Sequence, residues 1–386
     1  MARNVAVLIG NGLSVAFNAE LNLQQITQEV LERIRRLDGD DVVTAMKELA
    51  ARALPDGANT DEDFEVLVGA LGAESRTLEV LNRLAQLTNP KDEELRDCIR
   101  KVASFAEQVC DSGISHVLQV ITERSHAYQD TAQNLNSLVA SLTDAFDGKV
   151  VLANLNYDTL LLSALLNVCQ SDLADMGHGR KQASVILDDN QTREVQQLRA
   201  FADDFPQEKR VQLLHLHGSL TFWATRDRTT FVKIPKNLLE DGEQWHAVRN
   251  RTTNIRPAVV LANRKDKVEH VTRQPFALAY NMYTVGLKGA KHWLIVGYSF
   301  RDDPVNERLR TEFLDRTTKP KVLVVTYGAD PERRTVERAF GWGVEDGPSD
   351  WLTINRGGAN GAEKTQEWGS FIETSKQGLP RLGAES

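Results

Sequence analysis

The apolar run Val5–Ile9 stops abruptly at Gly10-Asn11-Gly12, and Ser14 follows at the start of a helical pattern. An unbroken apolar run of that length fits a strand buried on both faces. The glycines fit a strand-to-helix turn, where backbone N–H groups can meet a phosphate and a missing Cβ lets a ligand come close. From Leu23 to Phe146 the spacing is helical. Ile26, Val30, Leu31, Ile34 and Leu37 recur at one helical interval, and Val42, Val43, Met46 and Leu49 repeat it. After the cap candidates Asn59-Thr60, residues 63–67 open another helix. Further helices are predicted over 78–87, 93–109, 114–125 and 131–146, with breaks at Pro55-Asp56-Gly57, Asn89-Pro90 and Asp111-Ser112-Gly113.

Short apolar runs then return. Lys149–Asn154 reads as a strand, followed by a helix over 159–169. The polar stretch 171–190 reads as a long loop with a short strand near 183–187. Val211–Leu216, Phe231–Ile234, Ala258–Leu261, Trp293–Tyr298 and Val322–Tyr327 read as strands, 331–341 as a helix and Trp351–Ile354 as an edge strand. This alternation predicts an α/β fold, a Rossmann-like, doubly wound and mostly parallel sheet built from 1–22 and 149–375. A helical subdomain, 23–148, is inserted after the first strand-turn-helix, and 376–386 reads as a disordered tail.

Charge and cysteine usage narrow the function. Lysine and arginine total 46 against 54 acidic residues, so direct nucleic-acid binding over the whole surface is not expected. The basic stretch from Arg256 to Lys267 reads as a solvated loop. Cys98, Cys110 and Cys169 are odd in number and form no CxxC pair, which argues against a disulfide framework or a thiolate zinc. They read as buried free thiols in a reducing cytoplasm. Val5–Ile9 is too short for a signal-peptide core, and no apolar stretch approaches the roughly 20 residues that span a bilayer. A cytoplasmic chain with no membrane part is expected. The six tryptophans are scattered and read as packing residues.

Four polar or glycine-rich turns each follow an apolar strand: Gly10-Asn11-Gly12-Leu13-Ser14, Asn154-Leu155-Asn156-Tyr157-Asp158, His215-Leu216-His217-Gly218-Ser219 and Gly297-Tyr298-Ser299-Phe300-Arg301-Asp302-Asp303. An open parallel sheet binds ligands outside such strand ends, where the strand order reverses. Singly, each residue also has a structural reading. His217 could bond the backbone of its loop, Asn156 and Asp158 could cap the helix near Thr159, and Ser14 could cap the first helix. Asp302 and Asp303 precede Pro304 as helix starters, with Asp303 leaning structural. His215, on the same side of the strand as His217, takes the structural role because His217 abuts Gly218.

In this order the motifs resemble the sirtuin superfamily, in particular the sirtuin-like NAD-consuming domains of bacterial antiphage defence systems. Those carry a GxGxS-type turn, a TxNYD segment, an LHG turn and a VGYSFxD segment; Asn154 stands where the second has its threonine. The resemblance spans roughly residues 5–18 and 150–330. It implies that Gly10, Asn11, Gly12 and Ser14 cradle a pyrophosphate and that Asn156 is the catalytic asparagine holding the nicotinamide ribose and its attacking water. It implies that Asp158 orients the nicotinamide side and that His217 is the catalytic histidine. Gly297 and Ser299 would touch the adenosine half, and Thr326 would lie near the adenine ribose. Phe64 and Glu65 are candidates to reach the site from the insertion.

The resemblance implies NAD⁺ as substrate and no metal, because no paired CxxC zinc module lies between Asn156 and Gly297. Val15-Ala16-Phe17-Asn18 also departs from the Pro-Asp-Phe-Arg of the deacetylases. Cleaving the nicotinamide–ribose bond passes through an oxocarbenium-like state with a neutral leaving group. An amide to position water and a base to take its proton suit that chemistry. The implied activity is an NAD⁺ glycohydrolase giving nicotinamide and ADP-ribose, an antiphage effector that depletes cellular NAD⁺. Control is expected from homo-oligomerisation or a separately encoded partner such as a HerA-type ATPase or an Argonaute-like protein. A deacylase or ADP-ribosyltransferase, and a non-catalytic NAD- or ADP-ribose-binding subunit, are the alternatives.

Overall fold

In the computed structural model, residues 2–53, 64–125, 132–187, 191–261 and 264–373 are described. Pro55-Asp56-Gly57, Asn59-Thr60, Asp63, the side chain of Phe64 and the segment 376–386 lie outside them. Among the described residues twelve strands form two sheets. The larger is parallel throughout, in the order β12-β11-β10-β1-β2-β6-β3. Its strands are β1 (Val5–Ile9), β2 (Val150–Asn154), β3 (Leu173–Ala174), β6 (Val211–His215), β10 (His292–Val296), β11 (Lys321–Val325) and β12 (Leu352–Asn355). The smaller is antiparallel: β4 (Gly177–Ile186), β5 (Thr192–Leu198), β8 (Phe231–Lys233), β7 (Gly218–Thr225) and β9 (Ile255–Val259).

The helices are α1 (Asn11–Phe17), α2 (Leu23–Asp38), α3 (Asp40–Ala53), α4 (Phe64–Thr88), α5 (Glu93–Arg124), α6 (Ala132–Ala145), α7 (Leu160–Cys169), α8 (Glu243–Arg249), α9 (Arg264–His270), α10 (Phe276–Gly289), α11 (Asp303–Leu314), α12 (Arg333–Ala339) and α13 (Gln366–Glu373). β1 explains the double winding. All five of its residues are buried, and alternate side chains enter different cores. Val5, Val7 and Ile9 pack with Leu135, Leu142 and Leu161 of α6 and α7, whereas Ala6 and Leu8 face Tyr283, Leu287 and Leu309 of α10 and α11. The Rossmann-like α/β architecture is therefore present, with β12 at one edge as the sequence predicts.

Three expectations are corrected. The break at Asp111-Ser112-Gly113 does not occur, because α5 runs through it. Asp111 is buried 3.6 Å from Arg256 Nε, and a Cβ at Gly113 would meet Val68 Cγ1 at 3.2 Å. The glycine admits α4 against α5, so tertiary packing overrides the local turn signal. The polar stretch 171–190 holds the ten-residue β4, much of it exposed, paired to β5 in the second sheet. A half-solvated strand lacks the apolar run that marks a buried one. Cys98 is exposed and Cys110 half-buried, so only Cys169 is a buried thiol. No helix among the described residues is long and apolar enough to cross a membrane.

Candidate active site at the sheet switch point

The strand order reverses at β1: the chain proceeds from β1 to β2 and β6 on one side, and from β10 to β11 and β12 on the other. The carboxyl edge of such a sheet opens a crevice there. The first glycine turn packs directly on the turn after β10. Gly10 N–H donates to Val296 O and Gly12 N–H to Gly297 O, each at 2.9 Å. A Cβ on Gly10 would lie 2.5 Å from Gly297 O, and one on Gly12 would lie 2.6 Å from Gly297 Cα. Gly297 itself has φ +63. These glycines are required by backbone meeting backbone, and the amides of Gly10 and Gly12 are spent within the fold. Asn11 ties the turn to the next one through Nδ2 and Leu21 O, 3.4 Å apart.

A cleft of about 730 Å³ opens beside this junction, lined by Gly12, Gly297, Ser299 and Thr326 together with Tyr327, Arg301 and Glu332. Thr326 Oγ1 donates to Asp330 O at 2.8 Å, which holds the loop beyond β11. All three expected adenosine-side positions thus share one cavity with Gly12, whereas Gly10, Asn11 and Ser14 of the first turn do not line it. Asn156 and His217 do not line it; both are buried at the ends of β2 and β6, neighbouring strands of the same edge.

Asn156, Ser14 and Asp158 form one hydrogen-bonded chain. Asn156 Nδ2 donates to Gly10 O at 3.1 Å and to Ser14 Oγ at 2.8 Å, and Ser14 Oγ donates to Asp158 Oδ2 at 2.6 Å. A carbonyl only accepts, so the amide nitrogen must be the atom facing Gly10. Both of its hydrogens are then committed, and the side-chain oxygen is what Asn156 can offer to a water or hydroxyl. Asp158 Oδ1 accepts Leu160 N–H at 2.9 Å, so this residue caps α7 as well as holding Ser14. Burial pushes its carboxyl above the ordinary value, against those two donors.

His217 sits in a charged cluster. Its Nε2 lies 3.3 Å from Asp302 Oδ2 and 3.4 Å from the Tyr280 hydroxyl. Lys267 Nζ is 2.9 Å from Asp302 Oδ2 and 2.9 Å from Glu65 Oε2. The Tyr157 hydroxyl lies 2.7 Å from Glu65 Oε1 and 2.9 Å from Val260 O, two acceptors between which its single hydrogen is shared. Burial opposes ionisation of Asp302, yet His217 and Lys267 hold its carboxyl far below the usual range. Burial likewise works to raise Glu65, and Lys267 more than offsets it. Lys267 is disfavoured by burial, but Glu65 and Asp302 keep it firmly protonated.

Glu65 therefore reaches the cluster from the helical insertion, as expected. Lys267 corrects the reading of its stretch as solvated: it is buried between two carboxylates. Arg256, at the other end of that stretch, is buried against Glu107 and Asp111. Sequence reasoning missed Lys267, Tyr280 and Tyr157. Only Tyr157, flanked by Asn156 and Asp158, carried a local signal. His215 is buried with its ring edge-on to Phe222, 5.1 Å between centroids, and burial lowers it to about 4, as suits a neutral packing residue. Among the described residues no group of three or more His, Cys, Asp or Glu is placed to hold a metal ion.

No curated protein matches the chain. The SIR2-like domain family matches residues 150–343, which include the turns after β2, β6 and β10. Family membership points to NAD-linked chemistry of the sirtuin type. A match over that half of the sequence, with its turns gathered at one sheet edge, places the chain in the SIR2-like domain family.

Proposed function

We propose that the chain is an NAD⁺ glycohydrolase that cleaves the nicotinamide–ribose bond to give nicotinamide and ADP-ribose. The observation that carries this reading is an open cleft at the switch-point edge beside the first glycine turn, whose Ser14 is bonded to Asn156, with His217 buried just beyond the end of the neighbouring strand β6. The cleft beside Gly12, Gly297, Ser299 and Thr326 suits the adenosine half of a dinucleotide, and its pyrophosphate would pass the first turn. The nicotinamide ribose would then lie toward Asn156 and His217.

In this reading the side-chain oxygen of Asn156 accepts a hydrogen from the attacking water. His217 takes the proton as the water oxygen bonds C1′ and the nicotinamide nitrogen leaves with the bonding pair. Asp158 acts through Ser14, fixing the direction in which Asn156 points. A base of this kind is worth on the order of 10²–10⁴ in rate. No acyl-lysine groove built on a paired CxxC module is available in this sequence, which favours water over a peptide as the acceptor.

The test is product analysis. The full chain with NAD⁺ should release nicotinamide and free ADP-ribose at a rate indifferent to added acyl-lysine peptide. Peptide consumed in step with NAD⁺ would make it a deacylase. We extend the reading to a cytoplasmic antiphage effector held in check by oligomerisation or by a separately encoded protein partner, for which infected cells should show a fall in NAD⁺ that depends on His217.

A further inference from the structure

The reaction as written leaves Asp302 without a role, although it is the buried anion nearest His217. Its two oxygens divide the work. Oδ1 accepts Val305 N–H at 3.1 Å and caps α11. Oδ2 lies 3.3 Å from His217 Nε2 and 2.9 Å from Lys267 Nζ, within reach of both nitrogens. Helix capping needs only the first oxygen. Burying the second beside two nitrogens is costly unless its partners are well placed, and here they are supplied from two further elements. Lys267 comes from α9 and is shared with Glu65 of α4, which is itself held by Tyr157.

We propose that Asp302 is the positioning residue of His217, with Lys267 and the insertion's Glu65 locking it in place, so that the helical insertion forms part of the working site. A carboxylate can only accept, so of the two neutral tautomers it selects the one with its hydrogen on Nε2. Tyr280, at the same nitrogen, can accept as well as donate, and therefore follows that choice. The lone pair is then on Nδ1, which is the atom left to take the proton. The reaction served is the one proposed above, and the ring's orientation can be tested without it.

The full chain carrying ¹⁵N-labelled histidine is observed by NMR above neutral pH, with the His217 signals assigned by their loss in His217→Asn. Wild type is expected to carry the hydrogen on Nε2. Asp302→Asn keeps an oxygen for the Val305 cap but presents an amide that can donate, and should move the hydrogen to Nδ1. NAD⁺ turnover in that variant should fall on the order of 10²-fold in kcat with KM little changed, and Asp302→Glu should recover part of it. Lys267→Met and Glu65→Gln should split or broaden the same signals with smaller losses. Identical His217 signals in wild type and Asp302→Asn overturn the proposal. A moved hydrogen in a chain that cleaves no NAD⁺ sustains the positioning role and refutes the reaction.

Discussion

Asn156 Nδ2 lies 2.8 Å from Ser14 Oγ, joining the turn after β2 to the first turn of α1 across 142 residues of sequence. The whole helical insertion is threaded between these partners. The amide is therefore a structural tie, and in the proposed reaction its oxygen is also what meets the attacking water; substitution separates the two jobs.

Asn156→Asp replaces the donor facing Gly10 O by an acceptor and adds charge near Asp158. It is expected to destabilise the chain by about 2 kcal/mol, since a buried acceptor then faces an acceptor. Asn156→Ala should cost a similar or smaller amount while removing the oxygen. Urea unfolding of both variants measures this, and an aspartate variant as stable as wild type would contradict the donor assignment.

Gly297→Ala should be far more damaging than its one methyl suggests. The new Cβ would sit 2.3 Å from Leu13 N at a backbone with φ +63. Strain and overlap together should exceed about 3 kcal/mol, because neither turn can retreat without breaking the strand that precedes it. Thermal unfolding and loss of dinucleotide binding should report it together.

Stability should fall as pH drops from about 6.5 toward 4. His215 is held neutral in the fold down to about 4. Across that window the unfolded chain takes up a proton that the folded one refuses, so the lowered value costs stability as acid is added; below it both states are protonated and the effect ends. His215→Phe retains a ring against Phe222 and should flatten the decline between pH 6.5 and 5, read as urea midpoints. A slope identical to wild type would contradict neutral burial of that ring.

The parallel sheet was legible because β1, β2, β10 and β11 are buried on both faces and so leave unbroken apolar runs. The second sheet was legible only in pieces: Phe231–Ile234, Ala258–Leu261 and 183–187 read as strands, but not as a separate antiparallel sheet, because β4 is largely exposed and β7 mixes Gly218, Ser219 and Thr221 into a buried strand. The site divides in the same way. Turn residues such as Asn156 and His217 stand immediately after strands, where position alone singles them out. Lys267 and Tyr280 lie on α9 and α10, and their meeting with Asp302 and with His217 depends on where those helices pack. Gly113 shows the converse, a turn-like residue kept in a helix by the neighbour it allows.

The most direct test of the account is nicotinamide release from NAD⁺ by the full chain, alone and with the products of its neighbouring genes, compared with His217→Ala and Asn156→Ala. The account predicts cleavage by wild type and a loss on the order of 10²-fold or more in each folded, dinucleotide-binding variant. Folded variants that match the wild-type rate, or a wild-type chain that binds no dinucleotide, would contradict it.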